Sequence, residues 1–224
     1  MLAMTKSAEA EVVYTPANIS IPANGSPVLV DLNHDGVTDF AFWNRNYFSS
    51  FSGGARFIAS LYVGCGSGNT CQNQGNEVWG RGVGSRYGRF ASALRPGFSV
   101  GPNKSYFQPG PKGRLAKLSM FYSYQGNVAG SITYGQWQYT QHRYLGLQFM
   151  ISGQVHYGWA RVAVTRDGKN GIVATLTGYA YETIPGKPII AGQTKRPHVG
   201  VLQPTTLGRL AQGASGHGVT PPAK

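Results

Sequence analysis

The sequence predicts an all-β fold, an antiparallel two-sheet sandwich or jelly roll with long glycine-rich loops. Glycine supplies 32 of the 224 residues, and Tyr, Phe and Trp together supply 12%. Glycine costs a helix about 1 kcal/mol per position relative to alanine, whereas strands joined by glycine turns accommodate both residue classes. Short apolar runs alternate with Gly, Asn and Pro, and no helical periodicity competes with them over a comparable length.

Strand-sized apolar runs follow one another along the chain. They predict strands at residues 12–21 (interrupted at Pro16), 28–32, 39–43, 57–63, 115–124, 132–140, 144–151, 155–165 and 172–182. Turns are predicted at 125–127, 152–153 and 167–171, because glycine beside Ser, Asp or Asn between such runs favours hairpins. Residues 64–112, rich in Gly, Asn, Arg and Pro, are expected to form long loops with one or two edge strands.

Three segments are distinguished along the chain. Residues 1–10 end in Ala8-Glu9-Ala10, a small-x-small sequence typical of signal cleavage, and are interpreted as a residual leader. Residues 11–192 are expected to form the sandwich. Residues 193–224 contain several Pro and Gly and no acidic residue, so a flexible basic tail is expected there. No apolar run approaches the roughly 18 residues of a transmembrane helix.

Charged residues are few and mostly basic. The chain has 20 Lys and Arg against 8 Asp and Glu, a formal net charge of +12. This excess favours acidic polysaccharide or an anionic cell envelope as partner, the alternative being that the charge only keeps the protein soluble. No recognised nucleic-acid-binding motif accompanies it. Carboxylates are scarce and motifs such as HExxH and GxSxG are absent, so the chain is interpreted as noncatalytic.

Residues 31–39, which we call the acidic loop, match the pattern D-x-N-x-D-G-x-x-D in full. Calcium takes six to eight oxygen ligands. The predicted ligands are the side chains of Asp31, Asn33, Asp35 and Asp39 and the backbone carbonyl of Val37. Carboxylates this close repel one another without a cation, which favours a Ca²⁺ cofactor over the alternative, an ordinary Asx/Gly turn.

The neighbours of these residues predict how the acidic loop is held. Leu32 and Phe40 are expected to anchor it to the core, and His34 is expected to point outward. Phe42 stands where an EF-hand has its bidentate Glu, which predicts an affinity on the order of 10⁻⁴–10⁻³ M. The loop resembles the short calcium loops of FG-GAP, thrombospondin type 3 and dockerin segments. Its single copy and strand flanks indicate a structural clamp.

The two cysteines predict a disulfide. Cys65 and Cys71 are separated by five residues rich in Gly, Ser and Asn, so a bond between them is sterically easy, with two free thiols as the alternative. A disulfide suits an oxidising compartment, and the protein is expected to be extracellular or on the cell surface.

A second candidate site is a glycan-binding surface. It would combine exposed aromatic rings with basic residues, the alternative being that the aromatic residues are core residues of the sandwich. The candidates are Tyr134, Trp137, Tyr139, Arg81, Arg86 and Arg89.

Three stretches carry a family resemblance. They are residues 13–21 running into the acidic loop, residues 156–162 with 178–192, and Pro204-Thr-Thr-Leu-Gly-Arg-Leu-Ala-Gln-Gly-Ala-Ser-Gly216. Together they resemble uncharacterised bacterial secreted or surface proteins with PEP-CTERM-type sorting tails, although Arg209, Gln212 and His217 interrupt the apolar run of such a tail. The resemblance implies export and a surface or matrix role. The expected function is therefore noncatalytic adhesion or matrix formation with self-association, the alternative being a carbohydrate-binding module for acidic glycans.

Overall fold

The computed structural model describes residues 11–65, 75–80, 90–102, 107–108, 114–126, 130–167 and 171–195. The predicted leader, Cys71, the three candidate arginines and residues 196–224 of the predicted tail lie outside this part of the chain. Within it, no helix occurs, and therefore none that could cross a membrane.

The described residues form strands that are numbered here in chain order. They are β1 (Val12–Ile21), β2 (Val28–Val30), β3 (Phe40–Phe51), β4 (Gly54–Gly64), β5 (Glu77–Trp79), β6 (Ser99–Val100), β7 (Phe107–Gln108), β8 (Arg114–Gly126), β9 (Gly130–Tyr134), β10 (Thr140–Ile151), β11 (Gln154–Arg166), β12 (Ile172–Glu182) and β13 (Ile189–Ile190).

These strands confirm the predicted all-β class and form a β-sandwich. One sheet has six strands in the order β1-β12-β11-β10-β5-β7, and the other has five in the order β2-β3-β4-β8-β9. Neighbouring strands in both sheets are antiparallel, and β13 pairs with β6 separately. The main core joins the two sheets: Phe42 and Leu61 of the five-stranded sheet belong to the same buried cluster as Leu147 and Leu176 of the six-stranded sheet.

Two predicted interruptions of the strands are confirmed, one at a hairpin turn and one within β1. The predicted turn at Ser152-Gly153 joins β10 to β11, and both residues have positive φ, 49° and 78°, as the tight hairpin turns require. The interruption predicted at Pro16 is also present, because the pairing of β1 with β12 shifts register between Pro16 and Ile19.

Several predicted boundaries are wrong, and the errors are largest for two strands. The strand predicted at residues 39–43 continues to Phe51 and forms one long hairpin with β4, with a turn at Ser52-Gly53. The strand predicted at 132–140 is two strands, because β9 ends at Tyr134. Gly135 follows with φ 95°, and a Cβ there would collide with the Leu118 carbonyl. The chain therefore turns at this glycine.

Candidate metal-binding site

The acidic loop connects β2 to β3 and is anchored in the core at both ends. Leu32 is 1% exposed and Phe40 is fully buried, which confirms the expected anchors. Leu32 reaches across the sandwich, since its Cδ2 lies 2.9 Å from the position that a Cβ on Gly158 would take. Gly158 belongs to β11 of the six-stranded sheet. The loop therefore starts by packing against the opposite sheet.

Asp39 closes the neck of the acidic loop. Its N–H donates to the Val30 carbonyl at 2.9 Å, and its Oδ2 accepts the Leu32 N–H at 2.8 Å. The buried Asn76 amide donates to the Asp39 carbonyl at 3.0 Å. These bonds fix a carboxylate in a buried position beneath the loop.

Asp31 and Asp35 bind the backbone of the same loop. Asp31 accepts the N–H groups of Asp35 and Gly36 at 3.3 and 2.8 Å through its two oxygens. Asp35 accepts the Val37 N–H through Oδ1 and the Asn33 amide through Oδ2, each at 2.8 Å. The bond between Asp35 and the Val37 N–H spans two residues, as in an Asx turn. Positive φ at Gly36, 87°, completes the tight curl.

The donor set fits calcium in its chemistry. The side chains offer carboxylate and amide oxygens, the ligands that this hard cation prefers. Asn33 Oδ1 is buried in the loop without a hydrogen-bond partner, so one ligand oxygen is already free of competing bonds. In the described part of the chain no three His, Cys, Asp or Glu side chains are gathered around one point. To bind an ion, Asp31 and Asp35 would have to turn their carboxylates towards it and give up their hydrogen bonds to the loop backbone.

The electrostatics of the acidic loop favour a cation. Burial raises the pKa of the Asp39 carboxyl from 3.8 to about 7; the Leu32 N–H opposes this rise, and the charges of Asp31 and Asp35 add to it. Ionised Asp39 is therefore costly in this position, chiefly because it is buried and secondly because two carboxylates lie near it. The pKa of Tyr181 in β12 is also raised, first by burial and then by acidic groups that include all three.

His34 gives the acidic loop a second contact with the six-stranded sheet. It is exposed, as expected, and its Nε2 lies 2.9 Å from Thr15 Oγ1 in β1. Its ring centroid lies 6.2 Å from that of Tyr179 in β12. His34 has φ 60°, so the loop curl itself directs it there. The acidic loop therefore bridges the two sheets, a role that its sequence pattern alone does not reveal.

The predicted aromatic platform is not formed. Trp137 is 0% exposed, and its indole N–H donates to the Ala91 carbonyl at 3.1 Å, so its ring offers no face to a sugar. Tyr134 is half-buried, and Tyr139 is 68% exposed. The prediction for Trp137 is therefore wrong, because this residue is part of the core.

Only one of the two cysteines of the predicted disulfide, Cys65, is among the described residues. Cys65 is fully buried at the end of β4, and no described cysteine is free. Its predicted partner Cys71 is not among the described residues. The bond therefore stays a prediction.

A cleft of about 350 Å³ lies on the outer face of the six-stranded sheet. Arg161 is held there by Thr177, whose Oγ1 and carbonyl both accept from the guanidinium at 2.8 Å. The rest of the lining is formed by Gln141, His142, Ala163, Thr165, Val173 and Thr175. No carboxylate is among the described residues that line the cleft, and these residues present a neutral to basic surface.

The outer face of the five-stranded sheet carries aromatic rings and arginines that the sequence analysis missed. We define the aromatic face by Trp43, Arg45, Tyr47, Arg56 and Tyr62. Trp43 and Tyr62 are cross-strand partners whose rings stack at 5.3 Å with an interplanar angle of 12°. The signal available in the sequence is the alternation Trp43-Asn-Arg45-Asn-Tyr47, which places three side chains on one face of a strand.

Comparisons with known proteins identify no family for the chain. No protein-family model, no curated protein and no solved structure matches it. The acidic loop and the exposed sheet faces are therefore the features from which a function is inferred.

Proposed function

We propose that this chain is a noncatalytic extracellular or cell-surface β-sandwich protein with an adhesive or matrix-forming role, stabilised by calcium in the acidic loop. One observation carries the calcium proposal: a loop with three carboxylates joins β2 to β3 of the five-stranded sheet and contacts the six-stranded sheet twice, through Leu32 against Gly158 and through His34 against Thr15. Fixing this loop would fix the two sheets relative to each other.

Calcium would act as a counterion within the acidic loop. The residues that would hold it are the side chains of Asp31, Asn33, Asp35 and Asp39 and the carbonyl of Val37. The ion would offset the cost of burying the Asp39 carboxylate, the main cause of its raised pKa, and the smaller contribution from the charges of Asp31 and Asp35. It would also give Asn33 Oδ1 the partner that this buried atom otherwise lacks.

The adhesive role is supported by charge and by exposed edges. The formal net charge of +12 favours an anionic surface as partner. Among the described strands β9 pairs with β8 alone, and Ile132 in β9 is 50% exposed. An open edge strand with an exposed apolar side chain is a natural place for a second copy of the chain to add.

Calcium is expected to raise the melting temperature of the wild-type protein. With about 10 mM calcium and a Kd on the order of 10⁻⁴–10⁻³ M, mass action adds about 1.4–2.7 kcal/mol to the free energy of unfolding. For a chain of this size that corresponds to a rise in Tm of about 3–11 °C. Differential scanning calorimetry after EDTA dialysis, with and without added calcium, measures this rise.

The Asp31→Asn variant separates a calcium site from a hydrogen-bonded turn. Asparagine keeps one oxygen that can accept the Gly36 N–H but removes a carboxylate ligand, so the calcium-dependent rise in Tm is expected to disappear. Asp167→Asn is the matched control, because Asp167 Oδ1 accepts the Gly171 N–H at 2.8 Å in a turn remote from the loop in sequence. The proposal would be contradicted if calcium left the Tm of the wild type unchanged, or if calcium raised the Tm of Asp31→Asn as much as that of the wild type.

A further inference from the structure

The aromatic face is built from two paired strands. In β3 and β4 the directly opposed pairs are Trp43 with Tyr62, Arg45 with Ser60, Tyr47 with Ile58, and Ser49 with Arg56. Because side chains alternate along a strand, these pairs share one face. The opposite face carries Phe42 and Asn44, which are buried in the sandwich core. The aromatic face therefore points away from the core.

Arginine and tyrosine are pre-arranged on this face. Tyr47 is 52% exposed, and Arg56 Cζ lies 5.7 Å from its ring centroid, a cation–π distance. Hydrogen bonds from the Ser49 and Arg56 side chains to Tyr47, with the charge of Arg56, hold the pKa of Tyr47 below its usual value. Arg45 is exposed in the row between Tyr47 and Trp43. Cations and ring faces thus alternate along the strand.

The sheet that carries the aromatic face has a single sign of charge. Its five strands contain no Asp or Glu, and the cations among their described side chains are Arg45 and Arg56. A surface with fixed positive charges and no competing carboxylate attracts an anionic ligand. The rings of exposed Tyr47 and of half-buried Trp43 and Tyr62 add apolar area, and the two tyrosines add a polar tip, which suits a ligand that has both an apolar and a hydroxylated side.

We propose that the aromatic face binds an acidic polysaccharide. Sugar rings would lie against Trp43, Tyr62 and Tyr47, and the carboxylates of uronate residues would bind Arg45 and Arg56. The aromatic face has only two arginines, one from β3 and one from β4. Nucleic-acid binding depends on many phosphate contacts, so this low density of positive charge favours an acidic polysaccharide over nucleic acid. The proposal names a ligand for the adhesive role and rests on that role, but it does not depend on calcium binding.

The test is affinity for a defined acidic oligosaccharide. Oligogalacturonate is titrated into the full chain by isothermal calorimetry in EDTA, with an uncharged glucan and an oligothymidylate as comparison ligands. Arg45→Gln and Arg56→Gln, made one at a time, are each expected to weaken oligogalacturonate binding about tenfold, since each arginine supplies a charge-assisted hydrogen bond. Tyr47→Ala is expected to weaken it roughly threefold to tenfold through lost ring contact.

Arg95→Gln is the matched control, because Arg95 is exposed, lies outside the five-stranded sheet and changes the net charge equally. Binding by this variant is expected to equal that of the wild type. The proposal is overturned if oligogalacturonate does not bind, if Arg95→Gln weakens binding as much as either arginine change on the face, or if oligothymidylate binds more tightly through the same residues. Unaltered melting temperatures verify that each variant is folded, and the calcium response of the same preparations reports separately on the acidic loop.

Discussion

Leu32→Ala is expected to lower the free energy of unfolding by about 2–5 kcal/mol, the range for truncating a buried leucine. Leu32 is 1% exposed and fills the space beside Gly158 in the opposite sheet. Alanine would leave a cavity there and would detach the start of the acidic loop from β11. Urea unfolding at fixed calcium concentration measures the change.

Leu29→Ala is the control for this variant. Leu29 lies in β2, three residues earlier, and is 54% exposed, so its truncation is expected to cost about 0.5 kcal/mol or less. If the two variants lost the same stability, the acidic loop would not depend on its anchor in the six-stranded sheet, and the bridging role of the loop would be refuted.

Trp137→Ala is expected to cost about 3–5 kcal/mol, the range for truncating a large buried aromatic residue. The ring is fully buried, and the variant would also leave the Ala91 carbonyl without its indole donor. Tyr139→Ala, two residues away at a 68% exposed position, is expected to change stability little. Thermal unfolding of both variants checks the contrast.

The alternative for this segment is a sugar-stacking role for Trp137. That role predicts a Trp137→Ala protein with wild-type stability and weakened glycan binding. A pronounced loss of stability in Trp137→Ala beside an unaffected Tyr139→Ala would place the residue in the core, where the structure has it.

The strands that the sequence predicts best are those with unbroken patterns and strong turns at both ends. β12 spans Ile172–Glu182, as predicted, and β11 differs from its prediction by one residue at each end. The prediction for β3 ends too early, at residue 43, because Asn44 and its polar neighbours interrupt the apolar run. Asn44 is nevertheless buried, since its amide donates to the carbonyls of Ile21 and Ile172. Those partners are distant in sequence, so local pattern could not supply them.

For the acidic loop and the aromatic face, too, the sequence predicts local features but not the contacts that depend on how the sheets pack. The pattern of the acidic loop predicts its oxygen donors and its apolar anchors, but the contact of His34 with Thr15 depends on how two sheets pack. The aromatic content of residues 133–139 and of residues 43–47 looks alike in sequence. Only the structure shows that Trp137 points into the core while Tyr47 points outward, because a period of two does not say which face is covered.

Hydrogen–deuterium exchange with and without calcium tests most directly whether the acidic loop is a calcium-dependent clamp between the sheets. Calcium is expected to slow exchange in peptides from the loop and from β1 and β12, which the loop contacts through Thr15 and Tyr179. Exchange in β8 and β9, on the far side of the five-stranded sheet, is expected to stay unchanged. Exchange in the loop, β1 and β12 that is the same with and without calcium would contradict the clamp.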